Sequence, residues 1–106
     1  MSDGSPKILI RGARIIDPAN AIDCQGDILV ENGVIAAVGE VDGRGAEVVE
    51  AGGLVAAPGF VDIHTHLREP GAAGGETVLS GTRAAVNGGY TTVCSMPNTD
   101  PPVDSP

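Results

Sequence analysis

Apolar residues in the first half of the chain come in short runs broken by glycine, proline, asparagine and aspartate, the rhythm of strands and turns. Residues 7–11 and 14–16 lead, Asp17-Pro18-Ala19-Asn20 interrupts them, and residues 27–31 run into Asn32-Gly33 before residues 34–38. Asn-Gly between two β-rich runs predicts a hairpin, because a type I′ turn puts both central residues at positive φ, which these two tolerate. A turn at 43–46, a weak strand at 48–50 and, after Gly52-Gly53, a strand at 54–57 complete what reads as part of a small β-sandwich over residues 7–58. Residues 1–6 read as a polar tail.

The pattern changes at Pro58-Gly59, the predicted boundary with a second region over residues 59–106. Residues 60–64 read as a short buried strand and 71–75 as a glycine-rich loop. Over 76–87, Val78, Leu79, Thr82, Ala85 and Val86 fall on one face at spacings of three and four, which predicts a helix. Glu76 near its start suits the helix dipole and Gly88-Gly89 supplies a stop. Residues 90–95, rich in β-formers, follow as a strand. Strand, helix and strand make one β-α-β unit of an α/β fold, with the carboxyl ends of both strands at the same rim. The loop after residue 95 carries three prolines near its end and reads as irregular.

That rim holds the chain's candidate chemistry. Side chains alternate along a strand, so His64 and His66 share a face, with Asp62 two residues earlier on the same side. Both histidines of the chain sit here, followed at once by Arg68, Glu69, Pro70 and Gly71. Two imidazoles beside a fixed cation point to metal-assisted chemistry on an anionic substrate. Asp62 is a candidate to orient a ligand ring, since metal-bound histidines usually give their other N–H to a carboxylate or carbonyl. A catalytic zinc needs three protein ligands and an open position, and a structural one needs four, so two histidines complete neither. Cys24 and Cys94 stand in no CxxC pair and read as free thiols, buried or half-buried. Gly74-Gly75 lacks the partners of a phosphate-binding loop.

Composition narrows the setting. The net charge of −8, from 14 acidic against 6 basic residues with no basic cluster, disfavours a nucleic-acid partner. An anionic substrate must then be drawn by local groups such as Arg68. Two cysteines suit a reducing compartment, and the first apolar run, Ile8-Leu9-Ile10, ends at Arg11, too short for a secretory core or membrane span. A cytoplasmic location is expected. One Phe, one Tyr and no Trp leave the core to Val, Ile, Leu and Ala, so these 106 residues alone are expected to be marginal in stability.

The segment Pro58-Gly-Phe-Val-Asp62-Ile-His64-Thr-His66-Leu-Arg68-Glu-Pro-Gly71 resembles the first metal-binding motif of the dihydroorotases of the amidohydrolase superfamily. A second segment, residues 88–99 with Met96-Pro97-Asn98-Thr99, resembles that family's next signature block. Hydantoinases, dihydropyrimidinases and allantoinases share the HxH but generally lack Leu-Arg-Glu-Pro-Gly paired with Met-Pro-Asn-Thr. The resemblance implies the start of a (β/α)8 TIM-type metal-dependent hydrolase barrel preceded by the amino-terminal strands of a β-sandwich. It implies zinc, one ion or two, held by His64 and His66, with His66, Arg68 and Asn98 facing substrate; Asp62 behind the ligands comes from the strand alternation alone. The implied reaction is the reversible cyclisation of N-carbamoyl-L-aspartate to dihydroorotate in pyrimidine synthesis. A barrel takes about 250 residues, so the chain is expected to be an incomplete part, inactive alone, with no catalytic acid or base of its own. A homo-oligomer or aspartate carbamoyltransferase is the implied partner. A hydantoinase- or allantoinase-type enzyme, and a non-catalytic dihydroorotase-like partner of aspartate carbamoyltransferase, stand as alternatives.

Overall fold

The computed structural model describes residues 6–71 and 74–105. Most of the polar tail, residues 72 and 73 of the glycine-rich loop, and residue 106 lie outside the described residues. The chain divides between Pro58 and Gly59 into two compact units.

The first unit is a five-stranded sheet built around β1 (Ile8–Asp17). β2 (Ile22–Glu31) pairs with it antiparallel, and β3 (Val34–Gly39) pairs antiparallel with β2. On its other edge β1 pairs in parallel with β4 (Glu47–Glu50) and then with β5 (Val55–Ala56). The predicted hairpin is present: Asn32 and Gly33 have φ of +52° and +76°, the two positive values a type I′ turn demands. The two short leading runs prove to be one strand with a register shift between Ile10 and Ala13. Side chains of β2 satisfy the backbone that this bulge frees. Asp27 Oδ1 accepts from Gly12 N at 2.8 Å, and Gln25 Nε2 donates to the Gly12 carbonyl. β2 also starts five residues earlier than the expected 27. Asp17, through Oδ1, accepts from Ala19 N at 3.1 Å and caps a 3-10 turn at Pro18–Asn20, so the chain reverses at once.

Leu9, Ala13 and Ile15 of β1 and the adjacent Ile28 and Leu29 of β2 are buried. Ala13, Ile15, Ile28 and Ala51 form the core, with Ile10, Ile22, Val30 and Ala56 packed against it. On the opposite face Leu9 is 2% exposed, lying under the Gly43 turn so closely that a Cβ on Gly43 would meet Leu9 Cδ2. Ile35 and Val38 stay exposed beside an apolar groove that Ile15, Ile22 and Ile28 line from below. The sheet, part of a sandwich, thus buries residues on both faces, Leu9 on one and Ile15 and Ile28 on the other.

The second unit runs β6 (Phe60–Thr65), α1 (Val78–Asn87) and β7 (Tyr90–Ser95), with β6 and β7 parallel. Phe60 and Tyr90 open the two strands in register, their ring centroids 5.5 Å apart. The helix begins two residues later than expected. Thr77 caps it in a capping box with Ser80, and the carboxylate at its first turn is Glu69, whose Oε2 accepts from Val78 N at 2.7 Å, rather than Glu76. Its buried residue is Gly81, where an added Cβ would lie 2.7 Å from Leu67 Cδ2. The predicted apolar stripe is therefore only partly inward. Thr82 and Ala85 are half-buried, while Val78, Leu79 and Val86 are exposed, because small residues let the helix approach closely and β6–β7 is too narrow a sheet to cover the larger ones. Both cysteines are free as expected, but exposed rather than buried. Cys24 pairs with Ile15, whose buried side chain lies against the core, yet Cys24 itself carries no covering layer, and Cys94 lies on a two-stranded sheet. Among the described residues no helix is long and apolar enough to cross a membrane.

Candidate functional site

Two backbone hydrogen bonds assemble the carboxyl rim of the second unit. Met96 N donates to Thr65 O at 2.8 Å, which extends the β6–β7 ladder past the strand ends. Asp100 N donates to Pro70 O at 3.2 Å, which ties the loop after β6 to the loop after β7. Gly71 makes the second contact sterically feasible. It has φ of +109°, and a Cβ there would lie 2.6 Å from the Asp100 carbonyl oxygen. Residues 32 positions apart, His66 and Asn98, are thereby brought together.

His64 is the last residue but one of β6, and His66 lies just beyond its end at Thr65. Their rings are 5.0 Å apart between centroids, and the two Nε2 atoms approach to 3.2 Å. This spacing can be compared with what zinc requires. Two imidazole nitrogens bound at about 2.0–2.1 Å and separated by a tetrahedral angle stand about 3.3 Å apart. The two Nε2 atoms already lie at that separation, so this pair fits adjacent corners of a zinc site. Among the described residues no third His, Cys, Asp or Glu joins them in a cluster able to hold a metal.

The far side of the His66 ring is also engaged: its Nδ1 lies 2.9 Å from Asn98 Oδ1. An amide oxygen only accepts, so this contact calls for a proton on Nδ1, and in the neutral ring that leaves Nε2 with its lone pair. Asp62 acts elsewhere than on a ring. Its Oδ1 accepts from the His64 backbone N–H at 2.9 Å, and this bond is the main cause holding its carboxyl below the usual aspartate range. Asp62 thus fixes the main chain of His64, while Asn98 is the side chain that holds an imidazole.

Arg68 is exposed, and among the described residues it forms no ion pair. Its neighbour Glu69, the natural local partner, is occupied at the start of α1. Arg68, Pro70, Gly71, Asn98, Thr99 and Asp100 line an open depression of about 270 Å³. Of the residues singled out from sequence, His64, His66 and Asn98 are in direct contact and Arg68 shares the depression with Asn98. Cys24 and Cys94 take no part. Sequence reasoning missed Glu69 and Gly71 as builders of this rim. Glu69 reaches a helix nine residues on, a spacing no local rule flags, and Gly71 reads from sequence only as the first residue of the glycine-rich loop at 71–75.

A family model described as dihydro-orotase-like matches residues 53–105. The dihydroorotase of Elusimicrobium minutum is 59% identical over 100 residues, a match covering 93% of this chain and 23% of that protein. That of Trichlorobacter lovleyi is 48% identical over 100 residues, covering 92% and 24%. Among solved structures, the L-hydantoinase (dihydropyrimidinase) of Arthrobacter aurescens superposes with a TM-score of 0.71 at 31% identity, over 92% of this chain and 22% of that one. The chain therefore spans about a quarter of the length of the relatives it matches.

Proposed function

The chain belongs to the dihydro-orotase-like family, and from that premise we propose that it supplies the first metal- and substrate-binding segment of a zinc-dependent dihydroorotase, which interconverts N-carbamoyl-L-aspartate and dihydroorotate in pyrimidine synthesis. The observation that carries this reading is the convergence of the His64 and His66 Nε2 atoms at 3.2 Å beside a depression lined by Arg68 and Asn98.

In this reading His64 and His66 hold zinc through Nε2, and further donors come from other parts of the protein, since two imidazoles fall short of any zinc site. When bound, zinc supplies Lewis-acid polarisation of a carbonyl and lowers the pKa of a coordinated water. The chain's own groups handle position. Arg68 takes the substrate carboxylate, where the guanidinium fork fixes orientation as well as charge. Asn98 offers Nδ2 as a donor to the same carboxylate while its Oδ1 remains on His66. His66 borders the substrate from the metal side. A net charge of −8 makes this local cation the means of anion capture. The proton shuttle of the reaction has no candidate among these residues, so the 106 residues alone are expected to show no turnover and weak zinc binding. A cytoplasmic setting suits the two free thiols. Association with further copies or with aspartate carbamoyltransferase is part of the same proposal.

The hydantoinase likeness favours a second reading, a cyclic-amide hydrolase of different substrate. Leu67-Arg68-Glu69-Pro70-Gly71 with Met96-Pro97-Asn98-Thr99 supports the first, because a substrate carboxylate needs the cation and amide these segments provide. A non-catalytic role is disfavoured by the intact histidine pair. The test is zinc analysis and steady-state kinetics of the full-length protein. Arg68→Ala raises KM for dihydroorotate and leaves zinc content intact, whereas His66→Ala loses both metal and activity. Equal zinc in wild type and His66→Ala sinks the ligand assignment, and turnover of hydantoin or allantoin without dihydroorotate sinks the substrate.

A further inference from the structure

We infer that Asn98 is a positioning residue for the metal ligand His66, selecting the imidazole tautomer that can bind metal. This rests on the reading of His66 as a ligand and adds a role to Asn98 beyond contact with substrate.

The geometry is a chain of three groups. Asn98 Oδ1 lies 2.9 Å from His66 Nδ1, and His66 Nε2 lies 3.2 Å from His64 Nε2. A neutral imidazole carries one N–H, and a metal takes the nitrogen without it. Asn98 Oδ1 stabilises the proton on Nδ1, so Nε2, the nitrogen that faces His64, is the bare one. With the amide turned as it is here, Oδ1 towards the ring, the opposite tautomer would set a bare Nδ1 lone pair against the amide oxygen and close Nε2 to metal. Unlike a carboxylate, the amide does this without adding negative charge beside an anionic substrate, and it leaves Nδ2 free as a donor.

Asn98 is itself held by the fold. Met96 N is bonded to Thr65 O at 2.8 Å, Thr99 N to Pro97 O at 2.8 Å and Asp100 N to Pro70 O at 3.2 Å. The loop carrying the amide is thus anchored on both sides of it to the segment carrying the imidazole. Such an arrangement supports the ring's orientation before metal arrives.

The experiment uses the full-length protein and measures the zinc dissociation constant by chelator competition, alongside kcat and KM. In Asn98→Leu zinc affinity falls by about 10–100-fold, the usual cost of losing the partner that orients a ligand. In Asn98→Asp a carboxylate oxygen still accepts from Nδ1, so zinc affinity is retained, while loss of the Nδ2 donor raises KM. An Asn98→Leu protein that binds zinc like wild type overturns the inference, as does an Asn98→Asp protein that loses zinc to the same degree. A measurement on the unmutated, metal-free protein stands apart from any folding defect. At mildly alkaline pH the ¹⁵N shifts of His66 show a protonated Nδ1 and a bare Nε2, and the reverse pattern refutes the role. Zinc affinity and tautomer are read without substrate, so failure of the dihydroorotase reading would appear separately, in the substrate panel.

Discussion

Replacing Gly71 with alanine tests whether close approach of the two rim loops builds the depression between Arg68 and Asn98. An added Cβ would lie 2.6 Å from the Asp100 carbonyl oxygen, 2.8 Å from Asp100 Cβ and 3.0 Å from Asp100 N. Two of these three neighbours are backbone, so no side-chain rotation relieves the crowding. The loops must separate, and the Asp100 N to Pro70 O bond of 3.2 Å is lost. A non-glycine residue held at φ +109° costs about 1–3 kcal/mol, and a typical hydrogen bond contributes about 0.5–1.5 kcal/mol. Lower entropy of the unfolded chain offsets under about 1 kcal/mol. The expected loss is therefore about 1–4 kcal/mol. With the loops apart, a shift of about 1 Å between Arg68 and Asn98 also costs up to about 10²-fold in kcat/KM. Urea unfolding and steady-state kinetics of the full-length protein read the two effects separately. Gly45→Ala is the control, because Gly45 has φ of +79° with nothing within 4 Å of an added Cβ, and so isolates backbone strain. Equal midpoints for the two variants, with kcat/KM unchanged in Gly71→Ala, would refute the close-approach reasoning.

Other expectations concern the scaffold. Leu9→Ala empties the packed space under the Gly43 turn and lowers stability by about 2–4 kcal/mol, read from the urea midpoint at unchanged slope. Thr77→Ala removes the cap that accepts from Ser80 N at 3.0 Å and costs about 1 kcal/mol, with amide exchange accelerating first at the start of α1. Asp23 carries a carboxyl held below its ordinary range by the Arg14 side-chain hydrogen bond. Its contribution is present above the unfolded aspartate pKa and is lost as pH falls through the lower folded value. Asp23→Asn should flatten that acid limb of the stability curve, and an unchanged slope there would show that the exposed pair contributes nothing.

Much of the scaffold was legible in local sequence because its causes are local. Asn32-Gly33 is a type I′ turn wherever two strands flank it, and Gly88-Gly89 ends a helix whatever lies above. The HxH spacing put two imidazoles on one side of a strand end for the same reason. The strand at 7–11 and 14–16 was misread as two because a bulge is stabilised from outside, by Asp27 and Gln25 of the next strand. The helix stripe was overestimated since periodicity shows which residues share a face, not how wide a sheet waits beneath it.

What sequence determined by itself was the inventory: two histidines at alternate positions, an arginine two further on, an asparagine after the following strand, and an acidic background that makes the arginine matter. Tertiary structure decided who serves whom. Asp62 went to the His64 backbone, Glu69 to the start of α1, and Asn98 to the His66 ring. Those partnerships span 2, 9 and 32 residues. A carboxylate or amide bonds whichever unsatisfied donor the fold brings within about 3 Å, and over the longer separations only the parallel pairing of β6 and β7 and the contact at Gly71 determine which donor that is.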